Sequence, residues 1–167
     1  MYARPGVAKL EWTERRPEMF KTVVWATDGS ESADRALSYA KTLAAEGHGK
    51  LVAVFAEEHF VGRSSPYPVL ADADELKAKI HEQIAQARSE GLDASFRIVP
   101  GITPGSAHMI ADAAREEHAD AIVAGTRGHG PVAGLLLGSV TQRLLHIAPC
   151  PVLVIPSHGT NGAAPAS

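Results

Sequence analysis

A chain of 167 residues carrying 16 lysines and arginines against 19 aspartates and glutamates has the length for one domain with a sizeable core. Its net charge of −3 argues against nucleic acid or an anionic membrane as the main partner, since either would need a basic stripe, and no apolar stretch reaches the length that crosses a bilayer. The single cysteine, Cys150, excludes an internal disulfide and fits a reducing cytoplasm.

Residues 1–20 mix Arg4, Lys9, Arg15 and Arg16 with Glu11, Glu14 and Glu18 and contain no apolar h-region, so they read as an N-terminal arm and not as a signal peptide. A domain follows over 21–156. Thr22–Ala26 reads as a first strand, stopped at Asp28-Gly29. A first helix runs from Ser30 or Ser32 to Glu46, with Ala36, Leu37, Ala40, Leu43 and Ala44 at helical spacing, and Gly47 and Gly49 end it. Leu51–Ala56 is a second strand. The second helix covers about Ala71 to Glu90, with Leu76, Ile80, Ile84 and Ala87 as its inward stripe. Ser95–Val99 is a third strand, stopped by Pro100-Gly101. The third helix starts near Pro104-Gly105-Ser106 and runs to Glu117 with Ile110, Ala113 and Ala114 inward. A fourth strand at Ala121–Gly125, a fourth helix at Ser139–Ile147 and a fifth strand at Val152–Ile155 complete the set, and 157–167 read as a flexible tail.

Short apolar strands alternating with helices mean βαβ units, a parallel sheet and helices on both faces. Right-handed crossovers favour a doubly wound α/β sheet, expected here with five strands in the order 3-2-1-4-5. Ligands of such sheets bind beyond the carboxyl ends of the strands, where the strand order reverses. That point falls between strands 1 and 4, whose ends are Thr27-Asp28-Gly29-Ser30 and Gly125-Thr126-Arg127-Gly128.

The second of these ends opens a G-x2-G-x9-G-S pattern made by Gly125, Gly128, Gly138 and Ser139. The pattern closes on Ser139-Val140-Thr141-Gln142, which has the form of a capping box with Ser139 as the N-cap. A strand, a glycine-rich loop and a helix start make an anion site, because open backbone N–H groups meet the positive end of the helix dipole. Glycines there would allow positive φ or a close approach of backbone to phosphate. The same glycines would also serve a mobile surface loop. No G-x-x-x-x-G-K-[ST] occurs, and Gly128 to Gly134 misses the dinucleotide G-x-G-x-x-G spacing by one residue.

Single residues keep two readings each. Asp28 is either a ligand contact at the switch point or only a helix N-cap. Arg127 could pair a phosphate as a bidentate donor and His129 could contact one, or both could be solvated. Cys150, between Pro149 and Pro151, is a packing residue or a reactive thiol. The stretch 59–68 is a tolerated loop or a lid. The eight histidines show no metal-ligand spacing, so a bridging Mg²⁺ or Mn²⁺ would rely on few protein ligands.

Two stretches resemble the universal stress protein family. Thr22 to Ser32, with Asp28-Gly29-Ser30, is similar to its opening strand and turn. Gly125 to Pro156, with Gly125-Thr126-Arg127-Gly128, Leu137-Gly138-Ser139-Val140-Thr141 and Pro149-Cys150-Pro151, is similar to its closing third. Membership of the ATP-binding branch would imply that Gly128, Gly138, Ser139 and Val140 hold phosphates and that Asp28, with Ala26 beside it, holds the nucleoside end. It would also imply that main chain at Ala56 reads adenine. The expected binding stretch thus takes in Ala26, Thr27, Asp28, Ala56, Ala124, Gly125, Arg127, Gly128, Gly138, Ser139, Val140 and Thr141. The resemblance further implies a cytoplasmic regulatory protein that holds ATP, with or without Mg²⁺ or Mn²⁺, and turns it over little or not at all. It also implies a homodimer formed through the fifth strand, Val152 to Ile155.

Other readings stand beside this one: an AMP or cyclic AMP sensor, a slow ATP-hydrolysing enzyme, or a stress protein that works through its dimer surface alone. Adenylating ligases and ATP pyrophosphatases share the architecture, but Asp28-Gly29-Ser30-Glu31-Ser32 matches neither the S-G-G-x-D-S nor the H-I-G-H type of signature.

Overall fold

The structure, a computed structural model, describes residues 20–59, 70–102, 105–126 and 137–156. The expected arm ahead of Phe20, the tail from 157, most of the stretch 59–68, and the loop positions Arg127, Gly128 and His129 lie outside the described residues.

The elements follow the order β1 (Thr22–Ala26), α1 (Glu31–Glu46), β2 (Lys50–His59), α2 (Leu70–Ser89), β3 (Asp93–Ile102), α3 (Ser106–Glu116), β4 (Ala121–Gly125), α4 (Ser139–Ile147) and β5 (Val152–Ile155). All five strands are parallel and lie in the order β3-β2-β1-β4-β5. This is the doubly wound sheet that the alternation of apolar runs and helical stripes predicts.

The strand period of two divides the core. Val23 and Trp25 face one side, where Ala36, Leu37, Ala40 and Ala44 of α1 and Ile80, Ile84 and Ala87 of α2 cover them. Val24 and Ala26 face the other side, under Ile110, Ala111, Ala113 and Ala114 of α3 and Leu144 of α4. The buried indole of Trp25 donates to Ala33 O at 2.9 Å and so pins the first turn of α1 to the central strand. Cys150 packs at the border of the second core, and burial, then the charge of Asp120, push its thiol up in pKa. That environment holds the thiol protonated and fits the packing role.

The structure corrects three local expectations. Pro100-Gly101 does not stop the third strand, since β3 continues to Ile102 with Pro100 in register with Glu57 of β2. β3 is an edge strand, so the donor that proline lacks is not needed on its outer side. β2 is correspondingly longer than expected and runs to His59. At the end of α1 the left-handed residue is neither glycine but His48, at φ +48, between them. Gly49 answers a different need, because a Cβ there would stand 2.4 Å from Lys21 O. The same wrapped ending closes α3, where His118 at φ +51 lets Ala119 N donate to Ala114 O at 2.9 Å.

Candidate functional site

β1 and β4 are adjacent, with Ala26 in register with Ala124, and their carboxyl ends open side by side at the reversal of strand order. Two short segments meet there.

The first is the turn after β1. Thr27 N donates to Val54 O at 3.0 Å, which fastens the turn to β2. Thr27 Oγ1 accepts from Gly29 N at 3.1 Å, and Asp28 Oδ1 accepts from Ser30 N at 3.0 Å. Gly29 sits at φ +77, a conformation in which a side chain would be strained. The N-cap of α1 is Ser30, whose side chain accepts from Ala33 N. Asp28 is therefore not the helix cap. It is a half-buried residue of an Asx-type turn at the switch point.

The second segment is the start of α4. Thr126 N donates to Ile155 O at 2.9 Å, and Gly138 N donates to Thr126 O at 2.7 Å, so the chain returns at Gly138 to the place it left at Thr126. The capping box expected with Ser139 as N-cap is not formed. Gly138 is the N-cap, with no side-chain capping bond, and Ser139 is the first helical residue. A tertiary contact accompanies this: the Thr141 hydroxyl is committed to Gly125 O at 2.8 Å, which seats the helix on the end of β4. The first turn consequently presents exposed Ser139 and Val140 while Thr141 is buried. Gly138 has φ −70 and ψ 157, so positive φ is not what requires a glycine there.

Gly125 has another role again. A Cβ on it would stand 2.3 Å from Ser32 Oγ, so the missing side chain lets the first turn of α1 pack on the end of β4. Ala56 lies beyond the last pairing of β1 with β2, Ala26 with Val54. Main-chain groups of alternate residues in a strand point to the same side. Since Val54 O points to β1, the N–H and C=O of Ala56 point the same way, toward the crevice past the end of β1.

The structure thus places Ala26, Thr27, Asp28, Ala56, Ala124, Gly125, Gly138, Ser139, Val140 and Thr141 at the carboxyl end of the sheet, about the reversal of strand order. Sequence reasoning missed the contacts made by α2 on the first turn. Leu76 lies where a Cβ of Gly29 would be, with its Cγ 2.5 Å from that position, and Lys79 Nζ donates to Gly29 O at 2.9 Å. Leu76 is legible as a member of the inward stripe, but its seat against Gly29 is not, and the only signal for Lys79 is its i, i+3 spacing from Leu76. Among the described residues no group of three His, Cys, Asp or Glu is placed to hold a metal ion, and no helix is long and apolar enough to cross a membrane.

Comparison with known proteins identifies the family and agrees with the fold. A profile described as "Universal stress protein family" matches residues 19–156. The "Universal stress protein in QAH/OAS sulfhydrylase 3′ region" of Thermus aquaticus is 38% identical over 146 residues, covering 82% of this chain and 99% of its own. A universal stress protein solved in complex with cAMP is 30% identical, with a TM-score of 0.63 over 84% of this chain and 99% of that one. The universal stress protein of Archaeoglobus fulgidus in complex with dAMP is 26% identical, with a TM-score of 0.61 over 81% of this chain and 97% of its own.

Proposed function

From the premise that the chain belongs to the universal stress protein family, we propose that it is a regulatory protein that binds ATP with little or no turnover. The observation that carries this reading is the start of α4: Gly138 N held by Thr126 O, no side-chain cap, and an exposed first turn beside the Asp28 turn. Unclaimed N–H groups at the positive end of a helix suit phosphates. In this proposal the exposed turn of Ser139 and Val140, with Gly128, faces the phosphates, Gly138 lets them approach closely, and Thr141 seats the turn on Gly125 O, with Arg127 as a further donor and Ala124 and Gly125 as the floor. Asp28, with Ala26 and Thr27, takes the ribose. The Ala56 main chain offers adenine one donor and one acceptor, the pair its amino edge needs.

A Mg²⁺ or Mn²⁺ ion would ride on the phosphates, as the described residues offer no cluster of their own. The first turn of α4 carries Ser139, Val140, Thr141 and Gln142, none of them a general base for water, which supports slow or absent hydrolysis. The single cysteine suits a cytoplasmic setting.

Relatives in complex with cAMP and dAMP favour a second reading, an AMP or cyclic AMP sensor on the same site. Calorimetric titration with ATP, AMP and cyclic AMP ranks the two, because only ATP fills the α4 end. Gly138→Val gives the sharper test, since valine accepts φ −70 and ψ 157 without backbone strain. ATP affinity is expected to fall about tenfold or more, the scale of 1.4 kcal/mol. An unchanged Kd in the folded variant would remove the phosphates from this helix.

A further inference from the structure

Resting on the nucleotide reading above, we propose that Lys79 of α2 is a positioning residue for the nucleoside end of the site, setting the orientation of the Asp28-Gly29-Ser30 turn. The turn fixes its own shape through the side chains of Thr27, Asp28 and Ser30 and is fastened to β2 at its start by Thr27 N on Val54 O, while Gly29 at its tip is also held from α2. Two contacts bind the tip from outside. Lys79 Nζ donates to Gly29 O at 2.9 Å from 50 positions away, and Leu76 fills the space where a Gly29 side chain would be.

The same ammonium pairs with Asp34 in the first turn of α1, and Gln83 Nε2 donates to the other oxygen of Asp34 at 2.9 Å. Leu76, Lys79 and Gln83 form one stripe of α2, next to the stripe of Ile80, Ile84 and Ala87 that enters the core. A half-exposed lysine–aspartate pair adds little stability alone. A charged donor on a backbone carbonyl in a glycine turn has a different consequence: it removes a rotation the turn would otherwise retain. Preorganisation of this kind lowers what binding must spend on ordering the site.

The test uses the full chain and ATP. In Lys79→Met the stem is kept and the donor lost, and ATP is expected to bind about tenfold more weakly, the scale of one hydrogen bond to a charged group. Amide exchange in the unliganded variant should rise over residues 28–31 and stay at the wild-type rate in β4 and the first turn of α4. Lys79→Arg should recover most of the affinity. Asp28→Ala serves as the comparator. If Asp28→Ala weakens ATP and Lys79→Met does not, the positioning role is overturned and the nucleotide reading stands. If exchange rises throughout the Lys79→Met chain, the residue is merely structural and the role is again overturned. If the wild-type chain binds neither ATP, AMP nor cyclic AMP, both the reading and this inference fall.

Discussion

Gly125 and Gly138 are letters of one motif with different physical duties. The missing side chain of Gly125 admits Ser32, whose Oγ would stand 2.3 Å from a Cβ, whereas Gly138 has an extended conformation open to any residue. Gly125→Ala is therefore expected to destabilise the fold by about 1–3 kcal/mol, the usual cost of overfilling a packed contact. The midpoint of urea unfolding measures this, and a midpoint equal to wild type would show that α1 does not press on β4. The spacing of the motif was legible in the sequence, but the partner of each glycine was not, because Ser32 lies far from Gly125 along the chain. Asp28 was legible as a switch-point residue for the opposite reason: its bonds to the turn are local, and an Asp-Gly-Ser run encodes them. His48 and His118 show the limit of residue preferences, since histidine occupies the left-handed position that glycine usually takes.

At the scale of elements, periodicity placed β1, β4, α4 and β5 at the residues where they occur. It failed where a neighbour decides. Pro100 reads as a strand end, yet edge placement makes its missing donor irrelevant, and edge placement belongs to topology. The cap expected at Ser139 shifted by one residue, accompanied by the bond of Thr141 to Gly125 O, a tertiary contact that a local pattern does not contain.

The end of α3 carries an electrostatic device of the same long-range kind. Glu117, its C-cap, lies at the negative end of the helix dipole, where a carboxylate is unfavourable. Lys50 of β2 pairs with it at 2.8 Å and Arg97 of β3 at 3.2 Å, which ties the helix end to two strands. The hydrogen bond from Lys50 is the main cause that holds the Glu117 carboxyl below its ordinary value, with burial opposing and Arg97 assisting. A lowered folded-state pKa means stability that is present above the unfolded carboxylate value and lost as pH falls through the folded one. Arg97 stays charged throughout, so it adds no pH dependence of its own. Glu117→Gln should thus cost about 0.5–1 kcal/mol near pH 7, a modest sum because the group is partly solvated. The gap to wild type should close below about pH 4, near the unfolded glutamate value. A gap that stays constant from pH 7 to pH 3 in denaturant titrations would assign the loss to packing.

At the scale of the whole molecule, β5 forms one edge of the sheet. Val152, Leu153, Val154 and Ile155 are apolar on both faces, and Leu153 remains 39% exposed beside Tyr39, itself 52% exposed, in a groove shared with Leu43 of α1. Ile122 N and Thr126 N donate to Pro151 O and Ile155 O, so alternate residues of β5 face β4. The main chain of Val152 and Val154 accordingly points outward from the sheet. An apolar edge with outward donors and acceptors invites pairing, and antiparallel pairing with a second copy would cover it symmetrically. We propose the homodimer that the family resemblance implies, formed through β5, and it predicts twice the chain mass by light scattering at micromolar concentration. Val154→Pro removes an outward N–H while leaving the bonds to β4 intact, so it should yield a folded monomer with an unchanged far-ultraviolet spectrum. A wild-type monomer at that concentration rules the dimer out.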